Sequence, residues 1–352
     1  MTAVLIGPGR LRGVVYLAAA LALSASSVTA QETRIHGFTD VTYRNGRRLA
    51  DTSAFAVGQF DLYVTSRLSD KTSFLSETVF EFDRETGEFV VDVERVIVTV
   101  APSAHFRFAA GKHHTPIGFW NNAYHHGTAM QPTIARPGLF SFEDEGGMLP
   151  IHSVGVLAAG RDLTDAHLGF DVLVANNVGG TSESDTRSGK ALTLAAHSQL
   201  TSALRVGGSF YSDRLSVGTP TLRGDTLGMA MTERIAGGFV VYQGSRLELI
   251  GEYQGMRNTP SAPSTAGDAG LASGVVAYGG YRLGSVVPYV LYDESRAPKN
   301  DVYLPSTARR TGMLGLRYES APTVVFKLEL SRQAESGRPT SSVIALQAAV
   351  GF

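Results

Sequence analysis

Residues 114–149 contain the side chains of this sequence that are best suited to chemistry. Three consecutive acids, Glu143, Asp144 and Glu145, lie near the end of the segment, and Arg136 precedes them. Three adjacent like charges in a low-dielectric setting need cations close by. The segment also carries the only Trp of the chain and four further aromatic residues, the five rings being Phe119, Trp120, Tyr124, Phe140 and Phe142. Because monomeric surfaces rarely expose a large apolar patch, we expect this segment to fold inward. The alternative is a solvated acidic loop tip.

Two pairs of adjacent histidines lie at the start of this segment, His113-His114 and His125-His126. Adjacent side chains of an extended strand point to opposite faces, so each pair can readily offer one ligand. Imidazole suits Zn, Cu and Ni, but the sequence has no H-E-x-x-H motif or other defined metal spacing. We expect hydrogen bonds from these histidines to anchor the loop, with metal binding as the alternative, and we expect no cofactor.

Composition excludes several other classes of function. The chain of 352 residues has no cysteine, which excludes a thiol nucleophile, a disulfide scaffold and a zinc site built from thiolates. A formal net charge of -1 argues against a nucleic-acid partner, because such proteins carry a basic stripe. The sequence also lacks the G-x-S-x-G motif of many hydrolases, so we do not expect an enzyme.

The first thirty residues have the pattern of a secretory signal peptide. Arg10 and Arg12 precede an apolar run of ten residues at 14–23, and small residues at 28–30 lead to Gln31. The apolar run is too short to span a bilayer as a helix. We therefore expect residues 1–30 to be removed on export, with a buried N-terminal helix as the alternative.

The rest of the chain alternates between apolar and polar residues. Segment 323–332 (TVVFKLELSR) has Phe326, Leu328 and Leu330 on one face, with Lys327 and Glu329 on the other. Segments 59–68 and 342–352 alternate in the same way. Soluble strands usually run about 5–6 residues, whereas these run about 9–12, the length that crosses a bilayer at a tilt. The pattern indicates lipid on one face and water on the other.

Sixteen such segments can be counted, and short turns alternate with longer polar loops between them. An even strand number with this alternation is typical of a closed transmembrane β-barrel, and it places both chain ends on one side. We therefore predict an all-β fold: a single transmembrane antiparallel β-barrel of about 16 strands over residues 31–352. The predicted strands are 34–44, 55–68, 73–83, 89–100, 105–113, 150–160, 166–175, 191–200, 204–213, 232–242, 247–257, 272–282, 286–294, 309–319, 323–332 and 342–352.

An apparent signal peptide, amphipathic strands throughout and a last strand ending in Phe352 resemble Gram-negative outer-membrane porins. Segment 106–118 (FRFAAGKHHTPIG) is similar to a stretch of the phosphate-selective type. The resemblance implies a homotrimer in the outer membrane, in contact with lipid and lipopolysaccharide. It also implies that the terminal Phe352 serves assembly and that the third external loop folds into the barrel. In our count the third loop is 114–149, the longest one.

The resemblance makes the loop a candidate constriction. Rings of charge select the ions that pass a narrow pore, and Glu143, Asp144, Glu145 and Arg136 are the candidates on this loop. The candidate pore-wall residues lie opposite lipid-like faces: Arg67, Arg107, Arg205, Arg317 and Lys327. Phosphate-selective porins line their constriction with arginines and lysines, whereas this loop offers one arginine against three acids. We therefore do not carry phosphate selectivity over to this chain.

The function that we expect is passive diffusion of small hydrophilic solutes or ions through a water-filled channel. A barrel of 16–18 strands is too wide for side chains to fill and leaves an aqueous channel. The alternatives are an adhesive or structural barrel that transports nothing and, from another class, an outer-membrane hydrolase. A barrel of only 8–12 strands would favour those alternatives.

Overall fold

The computed structural model describes residues 32–47, 53–83, 88–125, 130–142, 147–176, 189–261 and 270–352. Three sets of predictions lie outside the described residues: the signal peptide at 1–30, the acids Glu143, Asp144 and Glu145, and His126. They stay predictions.

The chain forms one closed antiparallel barrel of sixteen strands, which confirms the predicted fold. Each strand pairs with its neighbours in the sequence, and β1 pairs with β16. The strands are β1 Glu32–Arg47, β2 Ala54–Arg67, β3 Thr72–Asp83, β4 Glu88–Val100, β5 Phe106–His114, β6 His152–Gly160, β7 Gly169–Asn176, β8 Lys190–Gln199, β9 Leu204–Leu215, β10 Met231–Gln243, β11 Leu247–Pro260, β12 Ala272–Tyr281, β13 Val286–Ala297, β14 Thr307–Ala321, β15 Val324–Glu335 and β16 Ser341–Gly351.

The two faces of the strands differ as the alternation predicts. On β15, Phe326 and Leu330 lie on the outer face and are 45% and 50% exposed, whereas Lys327 and Glu329 point inward and are buried. β14 and β16 repeat the pattern with outward Leu316 and Leu346. An apolar exterior around a closed sheet suits a bilayer, because neighbouring strands satisfy one another's backbone groups and a closed sheet has no free edge. The barrel therefore spans a membrane.

The last residue takes part in closing the barrel. The backbone of Phe352 exchanges two hydrogen bonds of 2.9 Å with Gly37 of β1. Its ring stacks with Phe60 of β2 at a centroid distance of 6.1 Å. Phe352 thus contacts the first two strands, consistent with the place that the porin resemblance gives to a terminal aromatic residue.

The connections at the end of the barrel that carries both chain ends span two to eight residues, and five of the eight connections at the other end are longer. The third connection at that other end, residues 115–151, links β5 to β6 and is the longest. Its described part contains one short helix, α1 (Phe119–Ala123), and one 3-10 turn, Gly138–Phe140. Within the described ranges, no helix is both long and apolar enough to cross a membrane.

Candidate functional site

The described part of the third loop, residues 115–125, 130–142 and 147–151, lies inside the barrel. Trp120, Leu139 and Phe140 are fully buried, and they share one apolar cluster with inward residues of the wall such as Tyr211 and Tyr289. Burying these rings against the wall removes apolar surface from water, which stabilises the inward position. The prediction that the loop folds inward is confirmed for its described part.

A carboxylate on the opposite wall holds the start of the loop. Glu252 of β11 accepts hydrogen bonds of 3.0 Å from the backbone N–H groups of Phe119 and Trp120, at the first turn of α1. The first N–H groups of a helix have no partner within the helix, so a carboxylate there satisfies them. Glu252 therefore acts as a fixing point for the loop.

Two inward residues of β15 clamp the middle of the loop. The Lys327 ammonium donates hydrogen bonds to the backbone carbonyls of Gln131, at 2.8 Å, and Thr133, at 3.1 Å. The Glu329 carboxylate accepts hydrogen bonds from the N–H groups of Ile134, at 2.9 Å, and Ala135, at 3.1 Å. One cation and one anion thus bind carbonyls and amides of the same short segment. Lys327 faces inward as predicted, but the loop covers it.

Arg136 lies within the loop rather than on an open edge of it. Its guanidinium donates to the carbonyls of Tyr124, at 3.0 Å, and of His125 and Phe140, and it stacks over the ring of Phe142 at 4.4 Å. These contacts tie two parts of the loop together. The structure gives Arg136 an internal bracing role, and its predicted part in ion selection stays a prediction.

Arg67 and Arg317, two of the predicted wall residues, lie in different surroundings. Arg317 is buried and its guanidinium forms ion pairs with Glu248, at 2.8 Å, and Glu319, at 2.9 Å. Arg67 lies at the end of β2 with its side chain 61% exposed, paired with Asp70 at 3.1 Å in the adjacent turn. Arg317 is therefore part of a charge network on the wall, and Arg67 is on the rim.

Arg107 and Arg205 line a narrow cavity of about 270 Å³ between the start of the loop and the wall. Arg161 also lines it, and its guanidinium pairs with Asp171 at 2.6 Å. Three arginines and one aspartate give this side of the interior a positive balance.

Two larger cavities lie beside the loop, and both reach β1; the larger is also lined by residues of β11, β12, β14 and β15, and the smaller by residues of β2. One, of about 1140 Å³, is at the end with the short turns and reaches Phe38 and Tyr63. The other, of about 480 Å³, continues along β1 past Asp40 and Arg44. Tyr124 of the loop lines both cavities. The described part of the loop thus leaves space beside β1, and Tyr124 borders both cavities.

The structure brings together two of the four predicted histidines. His114 and His125 stack at a ring-centroid distance of 3.6 Å, and both lie beside Glu94 and His152. His113 is buried outside this cluster. Sequence reasoning missed Glu94 and His152, together with the carboxylates that bind the loop backbone. The available signal for those carboxylates was an acid at an inward position of an amphipathic strand, as at Glu252 and Glu329.

No protein-family model matches the sequence, and no curated protein matches it. Solved structures resemble the barrel over nearly its whole length. OmpF of Salmonella typhi in complex with daunomycin is 14% identical, with 91% of this chain and 97% of that chain covered and a TM-score of 0.65. The anion-selective porin of Comamonas acidovorans is 11% identical, with coverage of 92% and 100% and a TM-score of 0.64. OmpT of Vibrio cholerae in its trimer form is 13% identical, with coverage of 92% and 100% and a TM-score of 0.62.

At identities this low, the structural similarity shows a shared fold and nothing more about function. A sixteen-strand barrel with an apolar exterior, similar throughout to outer-membrane proteins, confirms the predicted location in a Gram-negative outer membrane. The resemblance to outer-membrane porins holds at the level of the barrel, and the similarity to the phosphate-selective type is not confirmed.

Proposed function

We propose that this chain is a porin, a water-filled channel for passive diffusion of small hydrophilic solutes or ions, and not an enzyme. The observation that carries the proposal is the described part of the third loop, which is clamped inside a closed sixteen-strand barrel beside two cavities that both reach Tyr124. A loop held in this way narrows a channel without filling it. A structural or adhesive barrel has no need of such a loop.

The solute path in this proposal runs through the two cavities that Tyr124 borders, past β1 and close to β11, β12 and β14. The path has polar groups on the wall, because Asp40, Arg44 and Gln59 line the cavity of about 480 Å³. Phe119, Trp120 and Phe140 of the loop pack in the apolar cluster with β9 to β13, whereas Tyr124 and Phe142 line the cavities. The apolar cluster therefore anchors the loop, and the other two rings border the space that remains.

Conductance of the purified, refolded protein in planar bilayers tests this proposal. We expect discrete channel steps from wild type and a larger single-channel conductance from Tyr124→Ala, because the change removes a ring that borders both cavities. Tyr253→Ala is the matched control, since Tyr253 is exposed on the outer face of β11 and its loss should leave conductance unchanged. Absence of channel steps from correctly folded protein would favour the adhesive or the hydrolase alternative.

Ion selectivity in this proposal is a weak preference for cations. Arg107 and Arg205 give one side of the interior a positive balance, and the acids Glu143, Asp144 and Glu145 are expected to oppose them. Opposite charges on two sides of a pore create a transverse field and leave only a small net preference. Reversal potentials in a salt gradient measure that preference directly.

We also propose a homotrimer whose outer surface contacts lipid and lipopolysaccharide. The similar OmpT of Vibrio cholerae is described in a trimer form, and the apolar exterior of this barrel suits both lipid and a neighbouring subunit. Crosslinking in mild detergent should give a trimer band, and recovery of monomer alone would contradict this assignment.

A further inference from the structure

Four side chains converge where the third loop meets the wall formed by β4, β5 and β6. They are Glu94 of β4, His114 of β5, His152 of β6 and His125 of the loop, and one ligand atom from each lies within 4.8 Å of all the others. The Nε2 atoms of His125 and His152 are 2.7 Å apart, and Nε2 of His152 is 2.6 Å from a carboxylate oxygen of Glu94. The side chains of His125 and Glu94 are 1% and 5% exposed.

The register of the strands brings three of the four residues together: Glu94, His114 and His152. His114 and His152 are directly opposite each other in the β5–β6 pair. In the β3–β4 pair, Arg95 lies opposite Glu77 and Val93 lies opposite Thr78, so Glu94 is the extra residue of a bulge. A bulge can turn a side chain that alternation would place outside toward the interior. Arg95 contacts the buried Glu77 and Glu94 contacts His152, so both consecutive side chains point inward.

The loop presents His125 with a defined ring orientation. Nδ2 of Asn121 donates to the carbonyls of Thr115, at 3.0 Å, and Ile151, at 3.4 Å, which directs its Oδ1 toward His125. That Oδ1 accepts a hydrogen bond of 2.8 Å from Nδ1 of His125. A neutral imidazole that donates through Nδ1 carries its lone pair on Nε2, the atom that faces Glu94 and His152. Metal-binding histidines typically have such a hydrogen-bond acceptor on the ring nitrogen that does not bind the metal.

We propose that these four residues form a binding site for a divalent transition-metal ion of the zinc, nickel and copper class. Three imidazole nitrogens and one carboxylate oxygen make a four-coordinate set of donors that these ions accept. Zinc bonds of 2.0–2.1 Å in a tetrahedron separate neighbouring ligand atoms by roughly 3.3 Å. The observed contacts of 2.6 Å, 2.7 Å and, from His125 to Glu94, 4.0 Å lie on both sides of that value.

Metal binding needs small movements within the cluster. The rings of His114 and His125 now stack in parallel, 14° apart, and they must tilt so that their lone pairs meet at one ion. The ion then joins the loop, through His125, to three adjacent strands. Its consequence is a further anchor for the loop, in addition to Glu252 and the clamp of Lys327 and Glu329. The site does not depend on the transport function, because binding can be measured without it.

Zinc content tests the proposal on untagged, refolded full chain, since a polyhistidine tag would itself bind metal. After chelator treatment, incubation with zinc and removal of free metal, we expect one zinc per wild-type chain by mass spectrometry. His125→Ala and the isosteric Glu94→Gln each remove a metal ligand and should weaken zinc binding by about tenfold or more. Even the loss of a group that only hydrogen-bonds to a ligand typically weakens metal binding by about tenfold. His105→Ala is the matched control, since His105 lies exposed in the turn before β5 and outside the cluster.

Cobalt substitution gives an independent readout of the same site. Co²⁺ bound to the four residues should give the strong visible absorption of a tetrahedral ion, in wild type and His105→Ala but not in Glu94→Gln. Heat-modifiable migration on gels shows which variants are folded. Equal zinc content in folded wild type, His125→Ala and Glu94→Gln would overturn the proposal, and so would folded wild type that retains no zinc. In either case the cluster would be hydrogen-bonded packing alone.

Discussion

The clamp between β15 and the third loop allows a sharp test through Glu329→Gln. Glu329 accepts three hydrogen bonds, from the N–H groups of Ile134 and Ala135 and from the hydroxyl of Tyr289, at 2.9, 3.1 and 2.8 Å. Glutamine has nearly the same size as glutamate but only one acceptor oxygen. Its NH2 group therefore faces at least one of the three groups that now donate to Glu329. The substitution therefore removes at least one charge-assisted hydrogen bond inside the barrel.

The expected magnitude follows from the value of such bonds. A hydrogen bond to a charged group contributes about 1.5–3 kcal/mol, so we expect the attached position of the loop to lose about 2–3 kcal/mol. Since about 1.4 kcal/mol is a factor of ten, the detached population should rise about 30- to 150-fold. Single-channel recordings should then show frequent transitions between conductance levels, and proteinase K should cleave within 131–140 faster than in wild type.

Glu335→Gln is the matched control on the same inner face of the same strand. Glu335 contacts Gln333 and Arg338, both at 3.4 Å, and neither residue belongs to the third loop. Its loss should leave both the recordings and the cleavage rate at wild-type values. If Glu329→Gln behaved like Glu335→Gln in both assays, the clamp would not hold the loop and our account of the inward fold would be wrong.

Two further predictions concern barrel closure and ion selection. Phe352→Ala removes the ring that stacks on Phe60 where the barrel closes. It should therefore lower the yield of heat-resistant barrel on refolding into detergent or liposomes. An unchanged refolding yield and rate would contradict a role in assembly. Replacing Glu143, Asp144 and Glu145 with Gln, Asn and Gln should lower the cation/anion permeability ratio measured by reversal potential, and if ratio and conductance both stay constant, the acids are solvated residues of the loop tip.

The sequence was sufficient to predict the barrel because alternation is a local property. On β15 the outward Phe326 and the inward Lys327 can be assigned from neighbouring residues alone, and the same holds for each amphipathic strand. The inward loop was predictable for a related reason. Its rings, Trp120 and Phe140 among them, had no other surface to pack against once the strands were assigned to the wall.

The contacts that hold the loop could not be predicted in this way. Glu252 lies 133 residues from the backbone group of Phe119 that it binds, and Glu329 lies 195 residues from Ile134. Which acid meets which amide depends on the tilt and register of the whole barrel. The inward position of Glu94 could not be predicted for a different reason. The bulge after Val93 breaks the two-residue period from which inward and outward side chains are assigned.

The same contacts change how the charge of the inner wall should be counted. Sequence reasoning treats every inward charge as facing the pore. In the structure, however, Lys327, Glu252 and Glu329 form hydrogen bonds with the loop backbone. Where the loop packs against the wall and excludes water, as at Ile134, its N–H and C=O groups need partners from the wall, because unpaired buried groups cost free energy. Much of the interior charge of this barrel therefore serves to hold the loop. In the proposed channel we therefore expect selectivity to depend on charges that still line space, such as Arg44 and Arg205, and on the predicted acidic run of the loop.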